Sequence, residues 1–319
     1  MSYWRSPMNE ADRTSLYRSE EKGESFVTTK PPITPIIIKL DNYAIQIANK
    51  FAFVITYSYL CNAKCALMKR ALTYIVLVLS LLLAADAQAY TLVIDAGHGG
   101  KDAGALGFIS KEKDINLAIA LEFGRLVEQN CPDVKVVYTR KTDTFVELDE
   151  RARIANRNKA DLFVSIHTNS TAAGKAGTTA RGTETYTLGM HRAADNLAVA
   201  KRENSVITLE ANYEEKYEGF DPKSSESYII FELMQDEHMK QSVKFAGLVQ
   251  QQFATHAGRV NKGVFQAGFL VLRNTSMPSA LIELGYINNR QEEQFLNTKD
   301  GIAKMSRAIF NAFKSYKGN

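Results

Sequence analysis

Cysteine is scarce in this chain: Cys61, Cys65 and Cys131 are the only three in 319 residues. The first two form a C-x3-C pair with no downstream partners, which excludes a zinc ribbon. Beyond residue 89 only Cys131 remains, so that part of the chain has no internal disulfide. Long apolar runs are missing as well. The longest, Ala71 to Ala85, falls short of the roughly 20 residues that a membrane-spanning helix needs. Nor is there an excess of one charge where a basic stripe would be needed. Of the 39 Lys and Arg and 35 Asp and Glu, ten and seven lie in residues 1–89, leaving 29 and 28 in the rest. A near-neutral domain of this kind gives no basis for nucleic-acid binding.

What the N-terminal part does contain is a leader. Met68-Lys69-Arg70, the apolar run after it and Ala87-Gln88-Ala89 supply the charged start, hydrophobic middle and small-residue cleavage site of a secretory signal peptide. Residues 68–89 are therefore expected to be removed after Ala89, with the membrane touched only through this segment and the mature protein periplasmic. No cysteine follows the run to carry a lipid, and a single remaining cysteine suits an oxidising compartment without depending on it. Residues 1–67 have Pro31-Pro32, scattered charges and a short apolar patch at Phe51 to Leu60, but no periodicity that defines a domain. Met68 is the expected initiator, and 1–67 an upstream extension.

From Tyr90 to Asn319 short strands alternate with helical patterns, the signature of an α/β domain. A mixed, mostly parallel sheet flanked by helices is expected, as one domain. Strands are read at Thr91 to Asp95, Val134 to Tyr138, Leu162 to Ile166, Gly182 to Leu188 and Leu281 to Leu284, the fourth suiting a sheet edge. Helices are read at Asp114 to Gln129, Glu147 to Asn158, Ser242 to Ala254 and Ile302 to Tyr316, from apolar residues at helical spacing.

Two of these strands end alike. Asp95-Ala96-Gly97-His98-Gly99-Gly100 and Ser165-Ile166-His167-Thr168-Asn169 each place a histidine just past a buried run, and the glycines of the first free the backbone to crowd around an ion. A catalytic zinc takes three protein ligands and keeps a fourth position open. Glu112, where the glycine-rich loop feeds a helix, and Glu283, at the end of Ala280 to Ile282, are the carboxylates that could join the histidines. Ligands in open α/β sheets bind at the carboxyl ends of parallel strands, where His98, His167 and Glu283 would converge. His191, His238 and His256 lack that setting and read as surface residues, with His191 near enough to a strand end to border a groove.

Leu92 to Gly107, Lys111 to Ala120, Leu148 to Asn169, Gly182 to Tyr186 and Met277 to Asn288 together resemble the zinc-dependent N-acetylmuramoyl-L-alanine amidases. The resemblance implies one zinc held by His98, Glu112 and His167, and Glu283 as the catalytic carboxylate. It implies cleavage of the bond between N-acetylmuramic acid and L-alanine in peptidoglycan, in wall remodelling or daughter-cell separation. Lys101, Asp102 and Asn169 flank the ligands and are candidates to orient them or the substrate. Arg273 is a candidate for a substrate carboxylate or for the site carboxylates. Two other readings remain open at this stage: a zinc peptidase cutting within the stem peptide, and a wall-binding module with structural zinc. Structural zinc sites are usually closed and cysteine-rich, unlike this set.

Residues 201–241 interrupt the domain with Glu203, Glu210, Glu214, Glu215, Glu218 and Glu226, followed by the helical-looking Tyr228 to Met234. In some amidases of the resembled family an inserted helix covers the zinc groove, and its glutamate fills the open position until a partner withdraws it. If the segment inhibits, Glu226 or Glu232 is the expected blocking residue and an activator acting on 201–241 the expected partner; the alternative is a solvated acidic loop with one helix packed on the domain surface, and a monomer is the expected state.

Overall fold

The computed structural model describes residues 46–54, 73–77, 90–172, 177–190, 194–230 and 238–318. The chain divides into Met1–Asp86 and Ala87–Asn319. In the first unit only 46–54 and 73–77 are described, both helical, so the rest of the expected leader lies outside the described residues. No helix among the described residues is long and apolar enough to cross a membrane.

The second unit is built on six strands: β1 (Tyr90–Ala96), β2 (Val134–Tyr138), β3 (Leu162–Asn169), β4 (Thr183–Leu188), β5 (Asn261–Ala267) and β6 (Ser279–Tyr286). Their order is β2-β1-β3-β6-β4-β5. All neighbours pair in parallel except β4 with β6. The sheet is thus mixed and mostly parallel, as the alternation of elements predicts. Two details differ. Gly182 to Leu188 suited an edge, yet β4 is interior, and the edge beside it is β5, which carries too little apolar alternation to announce itself.

Alternation along the strands sorts the core into two halves, because successive side chains point to opposite faces. Leu92, Ile94, Leu162, Val164, Ala280 and Ile282 meet α1 (Glu112–Asn130), α4 (Met239–Thr255) and α5 (Lys299–Lys317) on one face. Val93, Phe163, Leu281 and Tyr186 lie on the other, under α2 (Leu148–Arg157) and α3 (Ala194–Asn204). Burial on both sides explains why β1, β3 and β6 read as continuous apolar runs rather than alternating ones.

Polar residues replace apolar ones on the second face toward the carboxyl ends of the strands. His167 is in register with Glu283, and Glu283 with Glu184. Three neighbouring strands thereby present a row of ionisable side chains, about 4.8 Å from strand to strand.

Candidate metal centre and active site

The loop after β1 is held open by two buried arginines. Arg151 pairs with Asp95 at 2.7 Å and donates to the carbonyls of Ala96 and His98. Arg140 donates to the carbonyls of Ala96, Gly97 and Lys113. Asp95 also accepts from Thr139 and Ser165, both at 2.6 Å. Burial pushes this carboxyl up, but Arg151 and the two hydroxyls outweigh it and hold the pKa below the ordinary 3.8. Their combined grip keeps His98 in the left-handed region at φ 62°, a conformation that costs a non-glycine residue about 1–3 kcal/mol. Gly97 is required for a different reason. A Cβ there would lie 2.3 Å from Nε2 of His167, whose ring passes directly over this backbone.

Within this frame His98, Glu112, His167 and Glu203 converge, with one ligating atom of each within 4.8 Å of the others. All four are buried. Glu112 Oε1 lies 3.1 Å from His98 Nε2 and 3.3 Å from His167 Nδ1, while Glu203 Oε2 lies 3.1 and 3.0 Å from the same two nitrogens. The outer nitrogen of His98, Nδ1, is 2.7 Å from Asp102, which directs the Nε2 lone pair inward when Nδ1 carries the proton. Glu112 is aimed by the N–H groups of Thr168 and Ala105 and by Asn116. His98 Nε2, His167 Nδ1 and Glu203 Oε2 are buried without a hydrogen-bond partner. Orphaned lone pairs on imidazole and carboxylate, facing one point, are what a zinc ion satisfies. The donor set therefore fits the metal.

Electrostatics in the cluster run against burial. Burial lowers the affinity of both imidazoles for protons, yet Glu112 and Asp102 raise His98 well above its ordinary value, and Glu203 with Glu112 raises His167 to about 9. Glu112 is lowered despite burial, chiefly by His98, and Glu203 by Arg202 and His167. Glu283 behaves oppositely. Burial comes first, then the charges of Glu203 and Glu112, and its carboxyl is pushed well above the usual range. It is fully buried, and its Oε2 has no hydrogen-bond partner.

The other expected residues separate. Asp102 touches His98. Asn169 instead donates to Glu184 at 2.8 Å, on β4, two strands from His167. Lys101 lies over the ring of Phe145 and donates to the Leu209 carbonyl, so it joins the metal loop to the inserted segment and not to a ligand. Arg273, on a single helical turn, faces Glu218 at 4.0 Å and is apart from the cluster. Glu226 is exposed and accepts from Ser224, and Glu232 lies outside the described residues. His191 lies outside them too.

Among the described residues, the carboxylate that reaches the cluster from the inserted segment is Glu203, at the carboxyl end of α3. Its neighbour Arg202 grips it at 2.7 Å, approaches Glu283 at 3.5 Å and donates to the Ser170 carbonyl. In the sequence Glu203 is one acid among many in 201–241, preceded by Lys201-Arg202, and nothing local distinguishes it from a solvated helix end.

The description N-acetylmuramoyl-L-alanine amidase matches residues 92–315. The amidase AmiA of Escherichia coli K12 is 32% identical over 228 residues, covering 70% of this chain and 75% of AmiA. The protein YqiI of Bacillus subtilis 168 is 33% identical over 227 residues, covering 71% and 84%. Among solved structures, the catalytic domain of the amidase CwlV from Bacillus (Paenibacillus) polymyxa superimposes with a TM-score of 0.52 at 32% identity, covering 72% of this chain and 98% of that one. An amidase from Clostridium difficile 630 gives 0.53 at 28%, with the same coverage. With the match spanning most of the chain, and the zinc-ready cluster inside it, this protein belongs to the N-acetylmuramoyl-L-alanine amidase family.

Proposed function

We propose that this protein is a zinc-dependent hydrolase of the amide between N-acetylmuramic acid and L-alanine in peptidoglycan, held in check by its own α3. The single observation that carries this reading is the convergence of His98, Glu112, His167 and Glu203 beside a buried Glu283. His98, Glu112 and His167 would hold the ion. Zinc, when bound, polarises the scissile carbonyl and brings the pKa of water to about 7. Glu283 takes the proton from the attacking water and returns it to the leaving nitrogen, a role suited to a buried carboxyl whose affinity for a proton is raised by burial and by the charge of Glu203. Asp102 keeps His98 in the tautomer that points Nε2 inward.

Glu203 Oε2 approaches both histidines as closely as Glu112 does, which supports assigning it to the fourth position, where it excludes water. Arg202 adds a second block by approaching Glu283 from the same helix. Activity then requires α3 to leave, and a partner protein acting on 201–241 is the proposed trigger. The leader at 68–89 points to export and a periplasmic mature chain beginning at Tyr90. N-terminal sequencing from the native cell checks the latter, and a mature terminus before Met68 would contradict it.

Chelation tests the main reading. Stripping metal from the full chain should abolish solubilisation of purified peptidoglycan, and stoichiometric zinc should restore it. Full activity in the stripped protein would refute the assignment.

A further inference from the structure

Glu293 is a buried acid that the proposed chemistry does not use. It lies on the short helix Arg290–Leu296 that follows β6. Its hydrogen-bond donors among the described residues are all neutral: the N–H groups of Phe108, Ile109 and Ser110 at 3.0, 2.8 and 2.9 Å, and the Ser110 hydroxyl at 2.9 Å. A buried carboxylate is costly unless hydrogen bonds replace its water, and three successive backbone N–H groups form a concave nest that does so. The adjacent Glu292, also buried, is served differently, by Arg259 at 2.5 Å and the Gly182 N–H at 3.0 Å. Gly107 makes room for the grip of Glu293, since a Cβ there would stand 2.1 Å from Glu293 Oε1.

What Glu293 grips is the tip of the loop that joins two parts of the metal centre. The tip is closed by the Gly107 N–H on the Ser110 carbonyl at 3.0 Å and by a bridge between Leu106 and Lys111. Next to that bridge Ala105 meets Glu112 twice. Its carbonyl accepts from the Glu112 N–H at 3.0 Å, and its own N–H donates to Glu112 Oε2 at 2.8 Å. With Oε2 held in this way, Oε1 is the oxygen left facing His98 and His167. The start of the loop is tied to Asp102, whose Oδ1 accepts from the Gly104 N–H at 3.1 Å while Oδ2 faces His98. Gly104 passes so close to both ligands that a Cβ would lie 2.7 Å from Glu112 Oε2 and from His98 Cδ2. A shift of this loop is therefore a shift of the donor set, and metal ligands need placement to within about 0.5 Å.

Resting on the zinc reading above, we infer that Glu293 is a positioning residue for the metal centre: its carboxylate fills the nest at 108–110, fixes the loop and, through Ala105, presents one oxygen of Glu112 to the ion. Glu293 itself contacts no ligand. It also ties the two carboxylate roles together, because the helix that carries it follows the strand of Glu283 while the loop it holds leads into Glu112.

The test is zinc affinity of the full chain, by competition with a chelator of known affinity, beside urea unfolding of the metal-free protein. Glu293→Ala should weaken zinc binding by about 10- to 100-fold, the usual effect of losing a residue that orients a ligand. Gly107→Ala, which pushes Glu293 Oε1 aside, should weaken it as well. Glu293→Gln should lose less, since its carbonyl can still accept from Ile109 and Ser110 while its amide opposes the Phe108 N–H. These last two variants carry the test if Glu293→Ala does not fold. Added acetate should fill the vacated nest of Glu293→Ala and restore part of the affinity, with no such gain in the wild type. Glu292→Gln is the control for general loosening: it should lower the urea midpoint and leave zinc affinity unchanged. Wild-type zinc affinity in the Glu293 and Gly107 variants overturns the inference, and so does an equal loss in Glu292→Gln. Failure of the wild type itself to bind zinc rejects the metal reading and this inference with it.

Discussion

Glu283 and the three proposed ligands differ in what their removal should do. His98→Ala, Glu112→Ala and His167→Ala each leave two donors and should lose zinc and activity together. Glu283→Gln should retain zinc and lose about 10²- to 10⁴-fold in turnover, the usual weight of a general acid–base group. Metal content measured beside rate distinguishes these outcomes, and zinc loss in Glu283→Gln would move that residue into the ligand set. Asp102 orients His98 at 2.7 Å through one oxygen and accepts from the Gly104 N–H at 3.1 Å through the other. Asp102→Ala should weaken zinc affinity by about 10- to 100-fold while leaving the fold intact, as removal of a ligand-orienting carboxylate does. A competition titration with a chelator of known affinity reads this. The two histidines were legible in the sequence because each stands just past a buried apolar run, and the parts of Glu112 and Glu283 were legible through the family resemblance. Glu203 was not, since its role depends on where α3 docks.

Docking of α3 is set by contacts at its end. Asn204 is buried, donates to the Gly268 carbonyl and to Tyr228, and accepts from the Leu270 N–H. Beyond it, Glu210 accepts from the Leu148 N–H at the start of α2 and from Tyr217. These anchors hold Glu203 against the histidines. Glu203→Ala should raise basal hydrolysis of peptidoglycan by about tenfold or more, equivalent to at least 1.4 kcal/mol of blocking interaction. Asn204→Ala should raise it less, by loosening the helix without removing the carboxylate. Unchanged rates in both variants, at full zinc loading, would leave α3 a structural or substrate-binding role. Strand β5 shows the same limit of sequence reading: Asn-Lys-Gly-Val-Phe-Gln-Ala has little alternation, and its bulge becomes visible only against β4.

For the whole molecule, the Asp95–Arg151 pair couples the strand framework to pH. Asp95 has a folded pKa below its unfolded value, so its contribution to stability is fully present above the ordinary 3.8 and is lost as pH falls through the lower folded value. Acid unfolding should therefore be less steep in Asp95→Asn, at the cost of lower stability near neutrality. Urea titrations from pH 2 to 7 give both quantities. The architecture itself was readable, because β1, β3 and β6 are buried on both faces and appear as unbroken apolar runs. The central claim concerns which bond is cut. Mass spectrometry of the products from purified peptidoglycan, digested by the zinc-loaded Glu203→Ala chain, addresses it directly. Stem peptides with a free N-terminal L-alanine beside intact glycan strands are predicted, and cleavage within the stem peptide, or binding without products, would contradict the account.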